Sequence, residues 1–142
     1  MSGHGETDLN RLLATMEPTL REETYIFCSM PDTALFCCFH LDPLAVFREK
    51  EGLSLVLTEA KAQSSGISNQ SSPYKCITLT VHSSLEAVGL TAAVAKELAD
   101  CGISANVVAA FYHDHIFVPA GRATEAVEAL HRLQQRAQQA TL

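Results

Sequence analysis

Two stretches of the chain, FREKEGLSLVLTEAKA (47–62) and FYHDHIFVPAGRATEA (111–126), pass through strand end, turn, strand and helix in the same order. The likeness is one of shape, not of letters, and it constrains the fold more than any single motif does. In the first copy Gly52 supplies the positive φ that a tight hairpin needs. A strand precedes each copy. TYIFCSM (Thr24–Met30) is rich in β-branched and aromatic residues. In YKCITLTV (Tyr74–Val81), Cys76, Thr78 and Thr80 alternate with Ile77, Leu79 and Val81. A helix then follows in the second half, where Leu90, Val94, Leu98 and Cys101 share one face and Gly102 stands at its C′ position. ISANVVAAFY and HIFVP read as strands, and the terminal helix has the stripe Ala123, Val127, Leu130 and Leu133.

The second half is therefore β-α-β-β-α. The first half is β, an open segment (ALFCCFHLDP, helix or strand), then β-β-α. An extra helix precedes it, with Leu9, Leu12, Leu13 and Met16 on one stripe, Thr7 or Asp8 as its cap and Pro18 closing it. Two copies of a split β-α-β motif predict the α+β class: two ferredoxin-like βαββα(β) units with antiparallel sheets covered by helices. The 142 residues suffice for that, burying roughly 70% of the unfolded surface. Gln63–Pro73 is Ser/Asn/Gly-rich and reads as a linker or a long exposed loop. It puts the boundary near Asn69, with domains at 1–69 and 70–142.

Charge narrows the partners. Only 18% of residues are charged and the net charge is -6, which disfavours nucleic acid and anionic membranes. No apolar run approaches the ~20 residues of a bilayer span, and MSGHGETDLN has no signal-peptide pattern. Cys28, Cys37, Cys38, Cys76 and Cys101 are odd in number and form no C-x-x-C pair, so a reduced, cytoplasmic protein is expected.

FYHDHIFVP holds the most conspicuous chemistry. A zinc site needs three or four ligands. His113 and His115 give two, His82 is the one further candidate, and Tyr112–His115 reads as the turn itself. Phe111, Ile116 and Val118 are expected to anchor that hairpin, with Arg48 and Asp114 facing solvent. Cys76 and Cys101 occupy apolar periodic positions, as inert thiols do. The segment His82–Gly89 has more appeal. A helix N-terminus offers unpaired N–H groups to a carboxylate. Ser83 and Ser84 add hydroxyls, Glu86 could pair with an amino group, and Gly89 permits close approach. Ser83 and Glu86 also fit a capping box, although Gly89 suggests a later helix start.

The same region carries a family resemblance. ITLTVHSSLEAVGLTAAVAKELADCGISANVV (Ile77–Val108) resembles an ACT domain: Gly89-Leu90 follows the turn, and Gly102-Ile103 with Asn106 matches a Gly-Ile-x-x-Asn strand entry. Val88 stands where many members carry Pro. YHDHIFVP is similar to a small family with two ACT-like halves, distantly related to the ACT domains of cytosolic arginine sensors. The resemblance covers roughly Tyr74 to Leu133. It is less distinct in the first half, through TYIFCSMPD and LAVFREKEGLSLVL. It implies a non-enzymatic regulatory module, without cofactor, that binds an amino acid or other small ligand at an interface between ACT units. It also implies a homodimer and admits a regulated protein partner. The implied contacts are His82, Ser83, Ser84, Leu85 and Glu86 in the turn, Val88, Gly89 and Leu90 at the helix start, and Asn106. The alternatives are a protein-interaction module without a small ligand, and a small metal-dependent enzyme. A complete ACT fold has four strands where each half supplies three, so the missing position is expected to be filled by the other half or a partner chain.

Overall fold

The computed structural model describes residues 8–35 and 38–140. Thr7 and Cys37 lie outside them. The chain is α+β and forms two compact units, one of residues 1–21 with 76–142 and one of residues 22–75.

In the larger unit, helix α1 (Leu9–Ala14) is capped by Asp8, whose carboxylate accepts from Arg11 N at 3.0 Å. A helix of this length does not hold itself in water. Packing holds it: Leu12 and Met16 are fully buried in the unit's core. At its end the Ala14 carbonyl accepts from the side-chain amides of Gln134 (3.1 Å) and Gln138 (3.0 Å), which satisfies an otherwise orphaned group.

Strand β1 (Pro18–Met30) starts earlier than the β-branched run suggests, because Arg21-Glu22-Glu23 hides its first part behind charge. Its residues Pro18–Arg21 belong to the larger unit, whose strand order is β1, β4 (Tyr74–Leu79), β6 (Asp114–Pro119), β5 (Asn106–Ala109). The fourth strand position is thus filled by the N-terminal part of the chain. Ile77 and Leu79 on β4, with Ile116 and Val118 on β6, form the core face. Helices α3 (Leu90–Asp100) and α4 (Ala123–Ala140) supply the other side with Leu90, Val94, Leu98 and Leu130. On α4 the expected Val127 and Leu133 are only partly buried, and small residues (Ala126, Ala129, Ala137) take the innermost positions.

In the smaller unit the order is β2 (Ala45–Glu49), β3 (Gly52–Thr58), β1. Both pairs are antiparallel, with Ala45 opposite Val56 and Tyr25 opposite Thr58. Helix α2 (Glu59–Ser64) starts at Thr58, whose hydroxyl accepts from Lys61 N at 3.2 Å. One 3-10 turn, Asp32–Ala34, ends where the open segment begins, and a second, Cys38–Leu41, lies within it; residues 36 and 37 of the segment are outside the described residues. In the second, three-residue spacing puts Cys38 and Leu41 on one side, and both are buried with Ile26, Leu53, Leu55 and Leu57. The Ser-rich stretch is tied to β1: Ser29 N donates to Asn69 O and Ser71 N to Phe27 O (2.8 Å).

Gly52 is required twice over. Its φ is +142°, and a Cβ there would stand 2.4 Å from the Met30 carbonyl oxygen. Gly66 also has positive φ (+69°) but open space around it. Gly52→Ala should therefore lower unfolding free energy by more than the about 1–3 kcal/mol of backbone strain alone, and clearly more than Gly66→Ala. Urea unfolding of the two variants side by side checks this; equal losses would contradict it.

Candidate ligand-binding site

After β4 the chain crosses to α3 through residues 80–89. Thr80 N donates to Met16 O at 2.8 Å. A turn follows, in which Ala87 N donates to the Ser84 carbonyl (3.0 Å) and Glu86 N to the Ser84 hydroxyl (3.1 Å). With Ser84 engaged in that turn, the Ser83–Glu86 capping box does not form. Gly89 ends the segment in the left-handed region (φ 99°) and caps α3 without a side-chain acceptor. The first intrahelical bond is Ala93 N to Gly89 O, so the N–H groups of Leu90, Thr91 and Ala92 lack helical partners. Their partial positive charge is the natural place for an anion.

A small cavity of about 60 Å³ opens at this helix start. Ser83, Ser84, Leu85 and Ala87 line it from the turn, Leu90 and Thr91 from α3, Ala109 from β5 and Asp114 from β6. The Asp114 side chain is the surprise. It was expected in solvent, yet only 6% of its surface is exposed. The turn ends at His113, not at His115 as the sequence suggests, so Asp114 is the first residue of β6. Strand alternation then puts it on the same side as Ile116 and Val118, which are core. Burial pushes its carboxyl pKa up, against the opposing charge of His113. No hydrogen bond reaches the carboxylate from the described residues.

The histidines have structural partners. His113 Nδ1 donates to the Val81 carbonyl at 3.1 Å. His115 Nδ1 pairs with the Thr78 hydroxyl at 2.9 Å, which itself accepts from Arg21 Nε (3.4 Å). Burial first, then the positive charges of Arg21 and His113, hold His115 below the usual imidazole range. Among the described residues no three His, Cys, Asp or Glu side chains stand close enough to hold a metal ion. Phe111 does not anchor the hairpin: it is 54% exposed, stacked edge-on with Tyr112 and beside His82, while Ile116 and Val118 are buried. The reason is that β5 ends at Ala109, so residues 110–113 loop outward.

Of the residues singled out from sequence, the fold brings Ser83, Ser84, Leu85 and Leu90 to the cavity. The others do not line it. His82 packs its ring 5.0 Å from Tyr112, and Glu86 and Val88 are exposed. Gly89 abuts α1, with Leu9 Cδ2 3.0 Å from where a Cβ would be. Asn106 opens β5, exposed and opposite Phe117. Sequence reasoning missed Ala87, Thr91, Ala109 and Asp114; the alternation through Ile116 and Val118 was the available signal for Asp114. A wider cleft in the smaller unit, about 360 Å³, is lined by neutral groups such as Ser29, Ser54, Asn69 and Gln70.

Two stretches match family models described as ACT domain, residues 4–75 and residues 71–132. The crystal structure of a Vibrio cholerae protein of unknown function, described as a possible transport protein, is 51% identical. The match covers 89% of this chain and 95% of that one, with a TM-score of 0.80. The ligand-free regulatory subunit of aspartate kinase from Thermus thermophilus is 11% identical over 84% of this chain and 97% of its own, with a TM-score of 0.65. A protein from Agobacterium tumefaciens is 16% identical over 82% and 87%, with a TM-score of 0.62. At such identities the last two speak for the fold alone. No curated protein sequence matches.

The raised Asp114 pKa means that the folded protein holds this proton more tightly than the unfolded chain does. Its contribution to stability is present at low pH and is lost as pH rises through the folded-state value. Asp114→Asn removes that loss. Its melting temperature relative to the parent protein should therefore be higher at about pH 7.5 than at about pH 4. A difference that is flat or runs the other way would refute the assignment.

Proposed function

The chain belongs to the ACT domain family, and on that premise we propose that it is a non-enzymatic regulatory module that binds a small ligand, an amino acid, at an interface between ACT units. One observation supports this above the others: the N-terminus of α3 opens at Leu90 and Thr91 into a cavity, where a ligand carboxylate would meet N–H groups without helical partners. Ser83, Ser84, Leu85 and Leu90 supply its walls. His82, Glu86, Val88, Gly89 and Asn106 join them as contacts once a ligand extends beyond the cavity.

At about 60 Å³ the cavity is far below the about 300 Å³ of an ordinary small-molecule site. A second copy of the chain is the proposed cover, and the protein is read as a homodimer. The exposed Leu85 and Val88 beside the cavity (63% and 81%) are surfaces such a copy would bury. The domain boundary is taken near Asn69, close to where the two matched stretches overlap at 71–75. No helix among the described residues is long and apolar enough to cross a membrane. Cys28 and Cys38 are buried free thiols, which agrees with a cytoplasmic setting.

The exposed group of Leu85, Val88, Phe111 and Tyr112 also favours a second reading, a protein-interaction module with no small ligand. A thermal-shift screen of the standard amino acids and nucleotides separates the two. A ligand at ~100 times its dissociation constant stabilises by about 2.7 kcal/mol, a rise of several degrees for a chain this size. Silence across both panels would overturn the ligand reading.

A further inference from the structure

The geometry points to Asp114 as the residue that selects the ligand's head group: its carboxylate takes the ammonium of a zwitterion whose carboxylate sits on the N-terminus of α3. This rests on the reading that the cavity binds a small carboxylate-bearing ligand, and adds to it the second pole.

Aspartates this far out of water are normally hydrogen-bonded within the protein, and one that is not keeps its carboxylate available to the cavity it lines. Asp114 is buried, lies on the cavity wall and accepts no hydrogen bond from the described residues. Ser83 stands on the same wall, also buried, with its hydroxyl not engaged in a side-chain hydrogen bond. Opposite in sign is the start of α3, an eleven-residue helix with no side-chain cap, whose Leu90 and Thr91 line the same space. A positive and a negative pole thus share a volume of about 60 Å³. That space suits a small head group carrying both charges, with the rest of the ligand outside it.

The two poles predict discrimination by head group. A 2-oxo acid or 2-hydroxy acid satisfies the helix N-terminus but leaves Asp114 buried without a cation. A charge-assisted hydrogen bond lost in this way weakens binding by roughly 10–100-fold.

The test uses the full chain and the standard amino acids, each set against the 2-oxo and 2-hydroxy acid bearing the same side chain, with affinity read by calorimetric titration. The expected result is binding of at least one amino acid, with its oxo and hydroxy partners weaker by roughly 10–100-fold. Asp114→Asn should bring the three to within about threefold of one another by weakening the amino acid. Equal affinity within a matched set, or a preference that survives in Asp114→Asn, would overturn the role of Asp114 while leaving the ligand site standing. No binding by any of the three classes would overturn both. Should Asp114→Asn fold poorly, the comparison of matched ligands on the unmodified protein decides alone.

Discussion

The two-residue period of β6 couples the core of the larger unit to its cavity. Ile116 and Val118 must face inward to meet α3 and α4, and once they do, Asp114 has no choice of side. The interaction that holds the unit together therefore also draws a carboxylate partly out of water and onto the cavity wall. A shift of one residue would bring Asp114 to solvent, but it would take Ile116 and Val118 with it. Apolar burial of two such side chains outweighs the cost of holding one carboxylate partly out of water.

A second constraint acts at Gly89. Its left-handed backbone delays the start of α3 until Leu90, which leaves the helix without a hydroxyl or carboxylate at its cap. Ser83 and Ser84 are close in sequence but stand too early in the turn to serve. The helix start is kept unsatisfied on one side, while on the other Leu9 of α1 closes over Gly89. Both poles of the cavity thus have separate backbone causes, one a strand register and the other a glycine conformation.

The order of elements, the hairpin at Gly52, the β4 alternation and the late start of α3 were legible because each rests on local periodicity or on glycine. Four features were not. Phe111 is as apolar as any core residue, and only the early end of β5 shows that it lies in an outward loop. Asp114 looked like a turn residue because His113-Asp114-His115 is polar throughout, which masks the first pleat of β6. The charged start of β1 hid a strand whose partner, β4, lies far along the chain. The segment around Cys38–Leu41 follows the three-residue repeat of a 3-10 turn, too short to stand out between helix and strand periods.

The hydrogen bonds from Gln134 and Gln138 to the Ala14 carbonyl span 120 and 124 residues. They make the larger unit a structure of high contact order. The smaller unit is one continuous run, residues 22–75. On a ribosome, α1 would emerge well before α4 and yet find its place only with it. Its apolar stripe must wait for α4, and through that interval Leu12 and Met16 are surfaces for a chaperone to hold.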